Sequence, residues 1–269
     1  MAFSVLMSVY AKEKPEYLEK SLLSVINQTL PPDEIVLIED GPLTEGLHAV
    51  IDRIRTQYGG LRTYRFKENV KLGRALAKGV ELCTHELIAR MDSDDIALET
   101  RFEVQKKFMD MHPEISVVGS YVEEFCEDSS YSKVKVMPMH GQEIDRYARY
   151  RNPLNHMTVM FRKEAVLSAG NYRHFPLLED YDLWLRMMSK GYEFSNIAEV
   201  LVRARTDAGI YDRRGGRYYF GQYKKLRSEQ KKQKLLSRRE YVTAMLLSYI
   251  MTAQPAWLRK LLYQKVLRR

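Results

Sequence analysis

The sequence predicts an α/β fold in which a mostly parallel central sheet is covered by helices on both faces. Two observations lead to this prediction. Strand-like and helix-like segments alternate over the first 111 residues, and the strand-like segments are almost continuously apolar. Strands that are apolar on both faces are typical of parallel sheets buried between helices. With 269 residues, 45% of them hydrophobic, the chain can form one large domain or two small ones.

The first half contains four predicted strands, each followed by a predicted helix. The strands are apolar runs at 4–10, 34–40, 61–66 and 86–91. The helices repeat apolar residues every three or four positions, at 15–28, 47–54, 72–83 and 102–111. Pro15 suits the first turn of the first helix, and the Thr44 hydroxyl can cap the second.

The regular alternation ends near Ile115. Further strands are predicted at 115–125, 156–161 and 199–205, and helices at 163–169 and 177–192. Residues 207–217 are rich in Gly and Arg and predict a loop, whereas residues 218–269 have a helical and basic pattern. We therefore expect a domain over 1–217, with halves at 1–112 and 113–217, followed by a basic helical extension over 218–269.

The net charge of +8 is unevenly distributed along the chain. Residues 203–269 contain 18 Lys or Arg and 4 Asp or Glu, a net charge of +14, whereas residues 1–202 contain 25 and 31, a net charge of −6. This asymmetry predicts an anionic partner for the tail. Within the tail, one helical stripe is apolar and contains Val242, Met245, Leu246 and Tyr249. Apolar and basic residues interleaved in this way favour a helix on an anionic membrane surface, and packing on the chain's own domain or on a second subunit is the alternative.

Composition also indicates a compartment. No apolar stretch is long enough to predict a membrane-spanning helix, and the N-terminal residues lack the pattern of a signal peptide. The isolated Cys83 and Cys126 fit neither a disulfide framework nor a zinc site, which indicates a reducing environment. We therefore expect a cytoplasmic protein that associates peripherally with the inner face of the cytoplasmic membrane.

Polar residues lie where three of the predicted parallel strands end. They are Ser8 and Tyr10, then Glu39 and Asp40, and then Asp92, Ser93, Asp94 and Asp95. In open α/β sheets, ligands bind outside the carboxyl ends of the strands. Carboxylate oxygens suit a hard cation such as Mn²⁺ or Mg²⁺, which can bridge a diphosphate and neutralise charge on a leaving group. The pattern favours transfer of a sugar from a nucleoside diphosphate.

These segments together resemble a known family. SVLMSVY, the IED that ends at Asp40, and ARMDSDD with its Asp-x-Asp signature look like the nucleotide-binding half of glycosyltransferase family 2. NPLNHMTVMFRKEAVLSAGNYR followed by LLEDYDLWLRM looks like its acceptor half. The resemblance covers about residues 3–217. It implies an inverting enzyme with the GT-A fold, a Rossmann-like and mostly parallel sheet flanked by helices.

The resemblance also implies a reaction. It is nearest to bacterial enzymes that build capsule, exopolysaccharide and O-antigen repeat units. A relative of these would move a hexose, with glucose or galactose favoured, from a UDP-sugar to a saccharide carried on a polyprenyl diphosphate lipid. The reaction would depend on Mn²⁺ or Mg²⁺.

Carried over position by position, the resemblance assigns roles to individual residues. Tyr10 would lie against uracil and Asp40 would accept from its N3–H. Asp92 would meet the ribose or the diphosphate and metal, and Asp94 would bind the metal directly. Asp180 would be the general base, with Glu179 as the alternative. The further nucleotide-sugar-binding candidates are Ser8, Lys71, Ser93 and Arg214.

The sequence departs from the family pattern at three places. Lys71 stands where members commonly have Gly, Ala77 where Asn is common, and Glu99 where Pro is usual. The first two changes affect backbone contacts near the nucleotide and leave the metal-binding acids in place.

Several of the singled-out residues also have a structural interpretation. Asp95 is expected to cap the following helix or to lie behind the metal ligands, and Asp182 to point away from the site. His156, on a predicted strand, is expected to be a structural hydrogen-bonding group, with an acceptor-site role as the alternative. The arginines that could grip a diphosphate are Arg203, Arg205, Arg213 and Arg214.

Two other functions are weighed against glycosyl transfer. A sugar-nucleotidyltransferase also holds a metal with acids on an α/β sheet, but it would need a Gly-rich phosphate loop after the first strand, where SVYAKEKPEY has no Gly. A nucleic-acid-binding protein could use the basic tail. That interpretation leaves the carboxylates unexplained, and no nucleic-acid partner is expected.

Overall fold

The computed structural model describes residues 2–127, 131–206 and 215–254. The strands β1 to β9 are Phe3–Val9, Glu34–Glu39, Leu61–Arg65, Leu87–Asp92, Ile96–Ala97, Ile115–Phe125, Ser132–Lys135, Met160–Arg162 and Glu193–Arg205. The helices α1 to α9 are Pro15–Ile26, Glu45–Gln57, Leu72–Leu82, Arg101–Met111, Gly141–Ala148, Lys163–Ser168, Glu179–Ser189, Gly216–Lys232 and Arg238–Ala253. A 3₁₀ turn at His156–Thr158 precedes β8.

One sheet contains all of these strands. Its order is β3-β2-β1-β4-β8-β6-β9-β5, and β7 pairs with β6. The first four strands in this order are parallel to one another, as are β6 and β9. The short β8 is antiparallel to both β4 and β6 and joins the two parallel groups. The prediction of an α/β fold with a mostly parallel sheet is confirmed, and the sheet runs without a break through both predicted halves of the domain.

Helices cover both faces of the sheet, which explains the continuous apolar strands. On one face α1, α2 and α4 bury Leu18, Ile51 and Phe102, and on the other α3, α6 and α7 bury Leu76, Val166 and Trp184. Successive residues of β1 point alternately into the two cores, with Val5 in one and Leu6 in the other. Each large apolar side chain buried in this way stabilises the fold by about 1.5–3 kcal/mol.

The register of the parallel strands sets the position of their carboxyl ends. Ser8 at the end of β1 lies opposite Ile38 on β2 and opposite Asp92 on β4. One residue beyond β2, the N–H of Asp40 donates to the carbonyl of Val9 at 2.8 Å. The polar ends of these strands therefore lie at one edge of the sheet, as the sequence predicts.

Two predicted elements are corrected. Residues 156–161 do not form a single strand, because the N–H and the hydroxyl of Thr158 both donate to the carbonyl of Asn155, at 2.9 and 2.8 Å. These local bonds close a 3₁₀ turn and leave Met160–Arg162 as the strand. The predicted loop at 207–217 overlaps α8, which begins at Gly216, and residues 207–214 lie outside the described residues.

The C-terminal extension is helical, as predicted, through α8 and α9. Tyr219 and Leu226 of α8 pack into a buried cluster with Leu178, Tyr181 and Leu185. The side of α9 that is buried carries only small residues, namely Ala244, Ser248 and Thr252. The predicted apolar stripe faces outward, with Val242 64%, Leu246 57% and Tyr249 55% exposed.

The rest of the basic tail, residues 255–269, lies outside the described residues. A search of the described helices for a segment long and apolar enough to cross a membrane finds none.

Candidate active site

Three carboxylates meet directly after β4. Asp92, Asp94 and Asp95 each present an oxygen, and these oxygens all lie within 4.8 Å of one another. Burial, together with the charges of Asp92 and Glu13, raises the pKa of Asp94 to about 7. Burial and the charges of Asp92 and Asp94 also raise the pKa of Asp95. The three acids therefore form one concentrated site of negative charge.

This donor set fits a hard divalent cation. Mn²⁺ and Mg²⁺ prefer carboxylate oxygens, and a bound cation would offset the burial and repulsion that hold these groups toward their protonated forms. Asp92 and Asp94 are the residues that would hold it. Asp95 is partly committed, because its Oδ1 accepts a hydrogen bond from the N–H of Arg205 at 2.7 Å.

Asp95 does not cap a helix. The residue that precedes α4 is Thr100, and no side chain caps that helix. The carboxylate of Asp95 is 3% exposed and fastens the end of β9 to the turn after β4. Of the two structural interpretations of Asp95, the position behind the metal-ligand candidates agrees with the structure.

A buried arginine, which the sequence reading did not single out, lies beneath the acids. Arg90 is 2% exposed, and its Nη2 donates to the Oδ1 of Asp92. Its charge lowers the pKa values of Asp94, Glu179 and Asp180. The sequence signal was present, since a charged residue interrupts the otherwise apolar strand LIARM. A buried charge of this kind requires a nearby counter-ion.

A second acid missed by the sequence reading belongs to the loop after β1. Glu13 accepts a hydrogen bond from the Ser93 hydroxyl at 2.6 Å, and its charge raises the pKa of Asp94. Ser93 is thus tied to Glu13 in this structure. Tyr10 begins this loop, where its carbonyl accepts from the N–H of Glu13 at 3.0 Å, and the residue is 45% exposed.

Asp40 closes the neighbouring loop. Its Oδ1 accepts from the N–H of Val70 at 2.6 Å, and the Asn69 side chain donates to its carbonyl at 3.2 Å. Gly41 has a φ of +92°, and a Cβ there would lie 2.8 Å from the backbone N of Asn69. Burial raises the pKa of Asp40, opposed by hydrogen bonds from the Val70 and Lys71 backbone and by the Lys71 charge. The Asp40 carboxylate is therefore held by the backbone of the loop that contains Val70 and Lys71.

Lys71 has a backbone conformation that is unusual for a side-chain-bearing residue. Its φ of 74° and ψ of 153° lie in a region that is essentially restricted to Gly. Strain of this kind costs about 1–3 kcal/mol per residue. Gly, which the sequence resemblance implies at this position, would adopt this conformation without strain. The strain sits at the candidate nucleotide site, beside Asp40.

Replacing Lys71 with Gly is expected to raise the free energy of unfolding by about 1 kcal/mol, because relief of the strain exceeds the added chain entropy. Urea unfolding of Lys71→Gly and of Lys71→Ala measures this. The Ala variant keeps a Cβ and should show no such gain. A Gly variant that is less stable than the parent would contradict the assigned strain.

Glu179 and Asp180 begin α7 and form a second acidic group. Asp180 accepts from the Asn152 side chain at 2.5 Å through Oδ2 and from the N–H of Tyr181 at 2.8 Å through Oδ1. Burial raises the pKa of Asp180, and burial together with the Asp180 charge raises the pKa of Glu179 to about 7. The charge of Asp92 also raises the pKa of Glu179, so the two acidic groups act on each other across the site.

Helix α3 packs closely against Glu179 and the segment that precedes α7. A Cβ at Gly73 would lie 2.3 Å from the carbonyl oxygen of Arg173 and 3.3 Å from the Cβ of Glu179. The first turn of α3 therefore approaches the backbone before α7 as closely as only Gly allows.

Asp182 and His156 have structural partners. Asp182 is 2% exposed, accepts two hydrogen bonds from Arg173 at 2.8 Å, and pairs with Arg186 at 3.0 Å. Its carboxylate is therefore occupied by two arginines, in keeping with a structural role. The His156 Nε2 lies 2.9 Å from the Tyr172 hydroxyl, and burial with the Arg90 charge lowers the pKa of His156. His156 thus has the structural hydrogen bond that was expected, although it lies in a turn and not on a strand.

The arginines proposed to grip a diphosphate separate into two groups. Arg203 pairs with Glu123 at 2.9 Å, and Arg205 pairs with Glu127 at 2.5 Å and lies over the Tyr17 ring at 3.9 Å. These two side chains have structural partners, which corrects their assignment as free diphosphate ligands. Arg213 and Arg214 lie outside the described residues.

The family comparison agrees with the sequence resemblance. The family model described as Glycosyl transferase family 2 matches residues 4–172. The amylovoran biosynthesis glycosyltransferase AmsE of Erwinia amylovora is 46% identical over 217 residues, 81% of each chain. The UDP-Gal:alpha-D-GlcNAc-diphosphoundecaprenol beta-1,3-galactosyltransferase of Escherichia coli is 34% identical over 268 residues, 99% of this chain and 97% of that one.

Solved structures share the fold. TarS 1–349 of S. aureus in complex with UDP-GlcNAc aligns with a TM-score of 0.69 at 15% identity, over 99% of this chain and 76% of that one. The mannosyltransferase PcManGT of Pyrobaculum calidifontis in complex with GDP-Man and Mn²⁺ aligns with a TM-score of 0.67 at 14% identity, over 98% and 75%. In a longer TarS structure the matched region is 44% of the chain. At these identities the likeness concerns the fold alone.

Proposed function

The chain belongs to glycosyltransferase family 2 and has the GT-A fold, and from this premise we propose that it moves a hexose from a UDP-sugar to a lipid-linked saccharide. The observation that carries the proposal is that two acidic groups lie close enough for the charge of Asp92 to raise the pKa of Glu179. Asp92 and Asp94 follow β4, and Glu179 and Asp180 begin α7. One group suits the nucleotide diphosphate with its metal, and the other suits the acceptor hydroxyl.

On the donor side, the ends of β1, β2 and β4 supply the nucleotide contacts. Tyr10 stacks on the uracil, and Asp40 accepts from the base. Ser8, Lys71 and Ser93 line the ribose and diphosphate. Arg214 is proposed from the sequence alone to hold the leaving diphosphate.

The donor is proposed to bind together with Mn²⁺ or Mg²⁺ held by Asp92 and Asp94. When bound, the cation supplies charge neutralisation for the departing UDP. Arg90 keeps the Asp92 carboxylate oriented through the hydrogen bond from its Nη2. A bound cation would offset the repulsion that the Asp94 carboxylate experiences from Asp92 and Glu13.

On the acceptor side, Asp180 takes the proton from the attacking hydroxyl. The hydrogen bonds from Asn152 and the Tyr181 N–H hold the carboxylate in place and favour its ionised form. The deprotonated oxygen attacks the anomeric carbon from the face opposite UDP, so one displacement inverts the configuration. Glu179, whose pKa lies at about 7, is the alternative base.

The acceptor is proposed to be a saccharide on a polyprenyl diphosphate in a bacterial surface polysaccharide pathway. The support is the name of the Escherichia coli relative, which matches 99% of this chain and is described as acting on a diphosphoundecaprenol-linked GlcNAc. By the same relationship, galactose is favoured over glucose as the transferred sugar. The division into nucleotide half, acceptor half and helical extension is part of this proposal.

The function is tested with a panel of UDP-sugars and a synthetic GlcNAc-diphosphate lipid as acceptor. Release of UDP is measured with Mn²⁺, with Mg²⁺ and with a chelator. We expect acceptor-dependent UDP release with UDP-galactose or UDP-glucose, and the product anomer identified by NMR should be inverted. Release of pyrophosphate from a sugar phosphate and UTP, without acceptor-dependent UDP release, would instead establish a nucleotidyltransferase.

The exposed apolar face of α9 is proposed to lie on an anionic membrane. Val242, Leu246, Tyr249 and Ile250 are exposed on this face, and the adjoining residues 255–269 contain five Lys or Arg and no acid. An apolar helix face next to basic residues suits an anionic lipid surface, because the apolar side chains can enter the lipid and the basic residues are attracted to its negative charge. This contact would hold the enzyme at the cytoplasmic face, where a lipid-linked acceptor is found.

The protein is expected to sediment with vesicles that contain anionic lipid and to be released by salt, because the basic residues supply part of the attraction. The variant Val242→Gln with Leu246→Gln and Ile250→Gln should bind about tenfold more weakly. Val134→Gln with Val136→Gln, which changes exposed apolar residues in and directly after β7, is the matched control. Equal binding by the α9 variant and the control would remove α9 from the membrane contact.

A further inference from the structure

Arg227 of α8 is a buried arginine that the proposed reaction does not use. It is 1% exposed, and all three guanidinium nitrogens donate hydrogen bonds. Its Nε donates to the hydroxyl of Ser248 on α9 at 3.3 Å. Burying a guanidinium is unfavourable unless its N–H groups are hydrogen-bonded. The partners of Arg227 therefore show which segments it holds together.

Most of these bonds go to two short segments outside the extension. Nη1 donates to the carbonyl of Arg149 at 3.1 Å, and Nη2 donates to the carbonyl of Tyr150 at 2.6 Å. Nη1 also donates to the Tyr181 hydroxyl at 3.0 Å. The Tyr181 hydroxyl in turn donates to the carbonyl of Ala148 at 2.6 Å. Arg227 therefore fastens the loop after α5 to the first turn of α7.

Both segments continue directly into the contacts of the proposed base. Asn152 lies two residues after Tyr150, and its Nδ2 donates to the Oδ2 of Asp180 at 2.5 Å. Tyr181 follows Asp180, and its N–H donates to the Oδ1 of Asp180 at 2.8 Å. The two carboxylate oxygens of Asp180 are thus held from the two segments that Arg227 joins.

We propose that Arg227 and Asn152 are positioning residues that orient Asp180 for removal of the acceptor proton, so that the C-terminal extension forms part of the catalytic apparatus. This inference rests on the proposed function, in which Asp180 is the base. Arg227 acts through the loop and through Tyr181, and Asn152 acts directly on the carboxylate. Neither residue needs to touch a substrate.

Charged and titratable groups from several elements surround Asp180. Arg90 faces it from β4, Tyr172 from the segment before α7, and Glu179 from its own helix. Burial raises the pKa of Asp180, and the hydrogen bond from Asn152 lowers it. Without Asn152, the carboxylate would lose both its orientation and part of the stabilisation of its ionised form.

The test measures the kcat of sugar transfer and the binding of UDP in Asn152→Ala, Arg227→Lys and Tyr181→Phe. Arg227→Lys keeps the positive charge but lacks the planar guanidinium with its several N–H donors. Tyr181→Phe removes only the hydroxyl that Arg227 contacts. We expect kcat to fall about 10- to 100-fold for Asn152→Ala and Arg227→Lys, the cost of a misplaced reacting group, while UDP affinity stays within twofold. Tyr181→Phe should show a smaller loss.

Two readouts separate positioning from a loss of folded enzyme. The acidic limb of the kcat profile should move to higher pH in Asn152→Ala, because the hydrogen bond that lowers the pKa of Asp180 is absent. In an Asp180→Asn background, Asn152→Ala and Arg227→Lys should cause no further loss of kcat. Ser248→Ala, which removes the hydroxyl that links Arg227 to α9 together with its hydrogen bond to the Ala244 carbonyl, is the control and should keep the parental kcat and pH profile.

The possible failures are distinguishable. Near-parental turnover in Asp180→Asn would refute the base assignment and with it this inference. A strong loss in Asp180→Asn, combined with parental kcat in Asn152→Ala and Tyr181→Phe, would overturn the positioning role and leave the proposed function intact. If Arg227→Lys does not fold, the other two variants decide the question.

Discussion

Replacing Asp180 with Asn is expected to leave UDP-sugar binding intact and to lower the transfer rate about 10²- to 10⁴-fold, the usual contribution of a general base. Asn has nearly the same shape as Asp and can still accept a hydrogen bond from the Tyr181 N–H, which Asp180 now accepts at 2.8 Å. It cannot take the proton of the acceptor hydroxyl. Transfer is measured by product formation, and binding by calorimetry with UDP.

Glu179→Gln is the matched comparison, because the two acids are neighbours at the start of α7. If Asp180 is the base, Asp180→Asn should lose far more activity than Glu179→Gln. The reverse order would move the role to Glu179. Near-normal turnover in both variants would place the base elsewhere.

The pH dependence of the parent enzyme follows from the same pair. A base works only when ionised, so kcat should fall as the pH drops through the pKa of the base. Burial raises the pKa values of both Asp180 and Glu179, the latter to about 7. The loss of activity should therefore begin at a higher pH than an ordinary Asp, with a pKa of about 3.9, would give.

Much of the fold was accessible from the sequence because its signals are local. A buried parallel strand must be apolar on both faces, so β1, β2 and β4 are visible as apolar runs. The Thr44 cap of α2 was likewise predictable, and its hydroxyl accepts from the N–H of Leu47. Acids placed after successive parallel strands must meet at one edge of the sheet, which brought Asp40 and Asp92 together.

The hydrogen bonds that hold the side chains of the site in place were harder to predict from the sequence, because they join distant parts of the chain. Ser93 and Glu13 are 80 residues apart, and Asn152 and Asp180 are 28 apart. No periodicity or spacing encodes such a pair. Arg90 is an intermediate case, since its place in an apolar strand marks it as unusual but does not identify Asp92 as its partner.

Local hydrogen bonds and backbone conformations that the residue type does not reveal explain where the secondary-structure prediction failed. Thr158 suits a strand by its residue type, yet its hydroxyl and its N–H both bond to the Asn155 carbonyl and close a turn. At Lys71 the residue type gives no sign of the positive φ that its backbone adopts.

Replacing Asp94 with Asn is expected to abolish Mn²⁺-dependent binding of UDP and, at the same time, to stabilise the metal-free protein above neutral pH. The folded protein holds a proton on Asp94 up to a pH of about 7, whereas an unfolded chain releases it near pH 4. Between these values the unfolded state binds fewer protons, so stability falls as the pH rises. Asn removes that loss together with the charge that a cation needs.

The two effects have opposite signs, which separates a metal ligand from a structural acid. Calorimetry with UDP and Mn²⁺ measures the first effect, and thermal unfolding at pH 5 and pH 8 in a chelator measures the second. Asp145→Asn, at an exposed acid of α5, is the control and should change neither. If Asp94 is instead a structural acid, its carboxylate stabilises the fold and does not need a cation. The Asn variant would then be less stable than the parent and would still bind UDP with Mn²⁺.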